Sequence, residues 1–212
     1  MCGLIGFFSR HAGAPSNVER ALDRMYRRGP DAGHIWSALG VQLGHRRLAI
    51  LDLDARAAQP MHSGCGRYVI IFNGEIYNFS VLREELQEQG LAFATTSDTE
   101  VILNLFALEG AAMLPKLRGM FALVIWDKVA RRAFAARDPY GIKPLYVATT
   151  DNGVLLGSQV KALLATGLVA GDPDPLGHAG FWMLGSVPEP HTWFRAIRGL
   201  PAGHFLWVEQ GR

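Results

Sequence analysis

The sequence predicts an antiparallel α+β fold. Apolar, β-branched runs come in pairs joined by short polar turns. Amphipathic stretches with helix caps lie between those pairs. The strict strand–helix alternation that builds a parallel sheet is missing.

Taken in order, "GLIGFF" (3–8) reads as a short buried strand. "SNVERALDRMYRR" (16–28) places Val18, Leu22 and Met25 at helical spacing behind Ser16 as N-cap, and stops at Gly29-Pro30. "HIWSALGVQLGHRRLAIL" (34–51) reads as two strands about a turn at Leu39-Gly40. "RYVIIFNGEIYN" (67–78) is a strand expected to end in a sharp turn at Asn73-Gly74. "SVLREELQEQG" (80–90) reads as a helix with Ser80 as N-cap and Gly90 as terminator, and "SDTEVILNLFALEG" (97–110) as another opened by Ser97 or Asp98.

Two hairpins follow, "MFALVIWDKVARRAFAARD" about Asp127-Lys128 and "KPLYVATTDNGVLLGSQ" about Asp151-Asn152-Gly153, and then a short helix, "VKALLATG". The Pro-rich segment from Asp172 to Pro190 is expected to be dominated by loop, with strand pattern returning in "IRGLPAGHFLWVEQGR".

Composition narrows the function classes. The 212 residues carry a formal net charge of +2, and their Lys and Arg are scattered, so nothing favours a nucleic-acid partner. No apolar run approaches the roughly 18 residues that cross a bilayer, so no membrane partner is expected. Arg10 and His11 cut short any leader-like stretch. The seven His lack HxxxH or HxH spacing and give no metal site. Cys2 and Cys65 are the only cysteines, and neither lies in a CxxC, so thiols in a reducing, cytoplasmic setting are expected.

Chemistry could begin at Cys2. If Met1 is removed, the α-amine of Cys2 becomes a base beside its own thiol; amine-assisted nucleophiles at a chain terminus are a known solution. Met-Cys alone favours a small buried cysteine in an edge strand. The Asn73 amide and the Gly74 N–H form the donor pair an oxyanion hole requires. Here an apolar strand does not follow the Asn-Gly, which argues against a simple hairpin turn. Arg47 could take a carboxylate, and Glu75 with Asp98 an ammonium, which together would hold a free amino acid. Taken singly, each also reads as a solvated charge or, for Asp98, a helix cap.

The motifs "MCGLIGFF", "RRGPD", "LGHRRLAILD", "QPM", "FNGEIYN", "SDTEVIL", "LRGMFALVIWD", "RDPYGIKPLY" and "GSQVKALLATG" stand together in one order. In that order the chain resembles class II glutamine amidotransferases, and most of all the N-terminal glutaminase domain of glutamine-hydrolysing asparagine synthetases, over nearly its whole length.

The resemblance implies an N-terminal-nucleophile hydrolase fold, a four-layer αββα sandwich of two antiparallel sheets flanked by helices, as a single domain over 2–212. It makes Cys2 the nucleophile, with Asn73 and Gly74 holding the oxyanion. Arg47 would bind the α-carboxylate of L-glutamine, the backbone of the following "LAIL" (48–51), Ile50 and Leu51 above all, would line the site, and Glu75 and Asp98 would hold the α-ammonium. It implies no cofactor for this domain; ATP and Mg2+ belong to a synthetase domain that would act in cis or in trans. A homodimer is compatible with it.

Two departures stand out. Arg27 occupies a position where the family commonly has His, and Gln159 one where it often has Glu. The pyrophosphate loop of the synthetase domain does not occur, so the expectation is an N-terminal piece of a longer synthetase, with a natural standalone glutaminase as the other reading. The alternatives are a different ammonia acceptor and a module that kept the fold without hydrolysis.

Overall fold

A computed structural model describes residues 1–11, 17–50 and 52–212. The expected cap Ser16 and the expected site residue Leu51 lie outside the described residues.

Two antiparallel sheets stack face to face. The first has six strands: β1 (Gly3–Ser9), β2 (Ala32–Ala38), β3 (Val41–Arg47), β8 (Tyr146–Thr150), β9 (Gly153–Gly157) and β10 (Ile197–Gly199), in the order β10-β8-β9-β1-β3-β2. The second has five: β4 (Met61–His62), β5 (Tyr68–Ile76), β6 (Gly119–Asp127), β7 (Arg132–Arg137) and β11 (Phe205–Glu209), in the order β11-β7-β6-β5-β4. The helices are α1 (Val18–Arg24), α2 (Phe79–Glu88), α3 (Asp98–Glu109), α4 (Val160–Ala165) and α5 (Pro175–Leu184).

Three apolar clusters define four layers. Alternate residues of a strand face opposite sides of its sheet. On β1, Leu4 and Phe8 join Val41 and Leu43 of β3 and Val69 and Ile71 of β5 in a cluster between the sheets. Ile5 and Phe7 point the other way, onto α1 and α4. Ile70, Phe72 and Ile76 of β5 point outward onto α2 and α3. Each fully buried Leu, Ile or Phe here contributes about 1.5–3 kcal/mol relative to exposure. The four-layer αββα architecture is as expected.

Three local expectations are corrected. Asn73-Gly74 does not end its strand: β5 runs on to Ile76, with Asn73 opposite Ala122 and Gly74 opposite Phe121 of β6. A Cβ on Gly74 would lie 2.3 Å from the Met120 carbonyl oxygen, so glycine is needed for close approach of two strands and not for a turn. Helix α2 begins at Phe79, before Ser80; Asn78 takes the cap position while its own Oδ1 accepts from Arg118 N–H.

Within 172–190, α5 spans ten residues, with Asp174 Oδ1 accepting from Leu176 N–H, Pro175 in the first turn and Gly185 as a left-handed C-cap. Its Asp-Pro start and Gly stop are ordinary helix signals that the surrounding prolines obscured.

Candidate active site

The same alternation brings the candidate residues together. Cys2 stands just before β1, in phase with Leu4 and Phe8, so its side chain points between the sheets. On β3, His45 and Arg47 share the phase of Val41 and Leu43 and point the same way. On β5, Asn73 and Glu75 share the phase of Val69 and Ile71 and meet them from the opposite sheet. The nucleophile candidate therefore rides on one sheet and the amide donor on the other.

A cavity of about 100 Å³ lies where they converge, lined by Met1, Cys2, Arg47, Ile50, Asn73, Gly74, Glu75 and Asp98. This is far below the several hundred Å³ of a drug-sized pocket and suits a ligand of amino-acid size. A separate open cleft of about 640 Å³, which includes Arg10, Trp126 and Arg131, contains none of the candidate residues.

Cys2 is held on two sides. Its Sγ sits 3.4 Å from Leu48 N and 3.6 Å from Leu48 O, and its carbonyl oxygen accepts from Arg28 Nε at 2.9 Å. Burial lowers the pKa of the Arg28 guanidinium against the opposing attraction of Cys2. From Gly3 onward the chain is locked into β1, with Gly3 opposite Arg46 of β3. The α-amine that removal of Met1 would create is thus attached to an already anchored residue.

The donor pair follows from strand geometry. Asn73 is 1% exposed, and its Nδ2 is buried without a hydrogen-bond partner among the described residues. An unpaired buried donor is costly and calls for an explanation; the cavity beside it provides one. The orientation of Gly74 is fixed by its neighbours. Phe121, its partner on β6, turns both its N–H and its C=O the other way, onto Asp138. Gly74 and Phe121 are therefore a non-hydrogen-bonded pair, and the Gly74 N–H points away from β6. Phe72 N–H and Ile76 N–H, on the same edge, are taken by Gln59 Oε1 and Asp98 Oδ2. Gly74, between them, faces the cavity.

The charged candidates behave differently from one another. Asp98, at the start of α3, is 4% exposed; burial raises its pKa, the two hydrogen bonds from Ile76 and Thr99 N–H resist, and the Glu75 carboxylate adds to the rise. The helix cap is Ser97, whose Oγ accepts from Thr99 N–H. Arg47 lies on the cavity with its guanidinium donating to the carbonyls of Asp52 and Asp54, which fixes its plane. Ile50 is 67% exposed and stands at the rim.

Leu48, in the expected "LAIL" stretch, flanks the thiol with its backbone. Other lining residues were not among those expected. Gln59, Ser97 and Thr99 enter through the loop before β4 and the start of α3, and Lys143 from the turn after β7. Asp138 accepts from the N–H groups of Tyr140, Ile142 and Lys143, wrapping that turn so that Lys143 reaches the cavity. Motif spacing alone could have flagged "QPM" and "RDPYGIKPLY", but not the side-chain directions. Among the described residues no cluster of three or more His, Cys, Asp or Glu could hold a metal ion, and no helix is long and apolar enough to cross a membrane.

Comparison with known proteins places this geometry. A family model described as a glutamine amidotransferase domain matches residues 1–212. The chain is 42% identical to a putative glutamine-hydrolysing asparagine synthetase of Mycobacterium tuberculosis H37Rv, over 98% of this chain and 35% of that protein. It is 39% identical to asparagine synthetase [glutamine-hydrolyzing] 1 of Bacillus subtilis, over 91% of this chain and 31% of that protein. It is also 34% identical to amidase chyE of Penicillium rubens, over 97% and 32%. The chain thus spans about a third of the length of these curated relatives.

Two solved structures share the fold. One is glutamine phosphoribosylpyrophosphate amidotransferase from B. subtilis, with a TM-score of 0.66, 24% identity and coverage of 78% of this chain and 44% of that one. The other is described as the allosteric regulatory enzyme of purine biosynthesis, with a TM-score of 0.73, 21% identity and coverage of 99% and 48%. With these matches, and Cys2, Asn73 and Gly74 lining one cavity, the chain belongs to the class II glutamine amidotransferase domain family.

Proposed function

We propose that this domain hydrolyses L-glutamine to L-glutamate and ammonia through a thioester on Cys2. The observation that carries the reading is that Asn73 Nδ2, buried with no partner among the described residues, and the Gly74 N–H, which points away from β6, lie at the cavity that Cys2 lines. Removal of Met1 opens one wall of that cavity and frees the α-amine, which takes the thiol proton. The thiolate attacks the side-chain amide carbon, and the negative oxygen that forms is stabilised by the two donors. Collapse breaks the C–N bond, and the α-ammonium protonates the leaving nitrogen, releasing ammonia. Water then cleaves the thioester with the amine as base, giving glutamate and regenerating Cys2.

Substrate binding is assigned to the rim and walls. Arg47 holds the α-carboxylate, the chain at Ile50 lines the site, and Glu75 with Asp98 holds the α-ammonium. The raised carboxyl of Asp98 supports this, because a bound ammonium would offset part of its burial cost. The sign for stability follows: between its ordinary value of 3.8 and its raised folded-state pKa, the folded state keeps a proton that the unfolded state loses. Asp98 therefore costs stability once pH rises through that window. Asp98→Asn, which keeps an acceptor for Ile76 N–H, should leave the melting temperature at pH 7 unchanged or higher. It should also weaken glutamine binding by roughly 10- to 100-fold, the value of a charge-assisted hydrogen bond. Calorimetric titration with glutamine checks this, and unchanged affinity would remove Asp98 from the ammonium site.

Asn73→Ala tests the donor pair. Losing one oxyanion donor should lower kcat by about 10²–10³ with little change in KM, read as ammonia release under saturating glutamine. Normal turnover would contradict the role.

In a full-length protein we infer that the ammonia passes to a synthetase domain, in cis or in trans, for ATP-dependent asparagine formation in the cytoplasm. The domain itself uses no metal or nucleotide in this scheme. A second reading, a different acceptor, is favoured by the relative named amidase chyE, which matches this chain as fully as the synthetases do.

A further inference from the structure

On the edge of β5 that faces away from β6, strand β4 pairs only as far as Ile70, so among the described residues no neighbouring strand accompanies the edge at Phe72, Gly74 and Ile76. Side chains take its place. Gln59 Oε1 accepts from Phe72 N–H at 2.6 Å, and Gln59 Nε2 donates to Thr99 Oγ1 at 3.2 Å. His45 Nε2 lies 3.0 Å from Phe72 O. A carbonyl can only accept, so Nε2 carries the proton, and Nδ1 is left buried without a partner among the described residues. Gln59 is 7% and His45 1% exposed. Burial lowers the His45 pKa to about 4, so the ring is neutral at pH 7.

Phe72 is the residue before Asn73, and both of its backbone polar groups on this edge are thereby clamped. The two clamps come from different parts of the fold. Gln59 ties β5 to Thr99 at the start of α3, next to Asp98. His45 belongs to β3, in the sheet that carries Cys2 and Arg47, and reaches across the apolar layer to the sheet that carries Asn73 and Gly74. The distance between nucleophile and donors is set by the distance between sheets at this point. A polar bolt through an otherwise apolar layer fixes that distance more tightly than packing alone, because hydrogen bonds are directional.

We propose that His45 and Gln59 are positioning residues for the oxyanion hole: by clamping the backbone of Phe72 they hold Asn73 and Gly74 at the height from which their donors meet an oxyanion formed on Cys2. The proposal rests on the hydrolysis reading above. Neither side chain needs to touch the reacting atoms, so their effect is expected on turnover and not on affinity.

The test uses the Met1-free chain with Gln59→Met, which keeps the length but loses the acceptor, and His45→Phe. His45→Gln places an N–H donor the same number of bonds from Cα. Both disruptive variants should lower kcat roughly 10- to 100-fold, the penalty of a misplacement below about 1 Å, with KM within about twofold of the parent. The glutamine dissociation constant, measured with Cys2→Ala in each background, should not move, and His45→Gln should recover most of the turnover.

A second measurement does not need activity: the Phe72 amide should be protected from hydrogen exchange in the parent and lose that protection in Gln59→Met. Should His45→Phe fail to fold, the Gln59→Met pair of readings decides alone. Unchanged kcat in folded variants overturns the proposal, and so does a kcat loss matched by an equal loss of glutamine affinity. A parent that neither releases ammonia nor is labelled at Cys2 by a glutamine-analogue electrophile overturns the hydrolysis reading instead, whatever the exchange result.

Discussion

Cys2→Ala is expected to lower glutamine hydrolysis by roughly 10⁴–10⁶-fold, as loss of a nucleophile does in other acyl-transfer enzymes, while glutamine still binds. The expectation follows from how Cys2 is held. Its carbonyl is fixed by Arg28 and its neighbour Gly3 by β3, so losing only Sγ leaves the walls of the cavity in place. The contacts of Sγ with the Leu48 backbone are long, at 3.4 and 3.6 Å, and contribute little to stability. Ammonia release and calorimetric binding of glutamine should therefore separate cleanly. A variant that keeps a substantial fraction of the rate would exclude the thioester route. The same logic applies to the amine: a population that keeps Met1 by intact mass should be inert, since Met1 both blocks the base and fills part of the cavity wall.

Gly74→Ala is the second large effect, and here stability and turnover fall together. The added Cβ would lie 2.3 Å from Met120 O and 2.8 Å from Phe121 Cα. Both atoms are backbone, so β5 and β6 must part at the point where the oxyanion donor sits. A cost of about 1–3 kcal/mol is expected for such overpacking, and a chain of this size loses about 2–4 °C in Tm per kcal/mol. Displacement of the Gly74 N–H should also lower kcat by about 10²–10³. Gly64→Ala is the control, because an added Cβ there meets nothing within 4 Å. Equal Tm and equal turnover for Gly74→Ala and the parent would refute the close approach of the strands and the donor role together.

Much of the site was legible beforehand because its chemistry is carried by rare residue types in fixed order. A cysteine behind the initiator Met, an Asn-Gly in "FNGEIYN", and Arg47 with Glu75 and Asp98 named the groups that line one cavity. The reading of Asn73-Gly74 as a turn failed for a reason of packing. Asn-Gly has the local signature of positive φ, yet here glycine answers the close approach of Met120 and Phe121, which lie far along the chain. The missed helix α5 had its cap and stop signals, which neighbouring prolines outweighed in a local reading. Gln59 and Lys143 were not singled out; a Gln becomes part of a site only through the direction its backbone turns.

From the sequence alone came the antiparallel class, the hairpins, and the identity of Cys2, Arg47, Asn73, Gly74, Glu75 and Asp98 as candidates. The structure showed the alternation that sends Cys2, His45 and Arg47 to one face of their strands and Asn73 and Glu75 to one face of theirs. Period-two patterning is local, and the hydrophobic residues flanking each of these positions record it. Tertiary structure alone decided that those two faces oppose each other. It also decided that β4 stops short so that the Gly74 N–H stays open, and that Gln59 and His45 clamp Phe72 in place of the missing strand. Those outcomes depend on sheet pairing and on distances between segments far apart in the chain, and a strand's hydrogen-bonding edge, unlike its faces, leaves no mark in the order of its side chains.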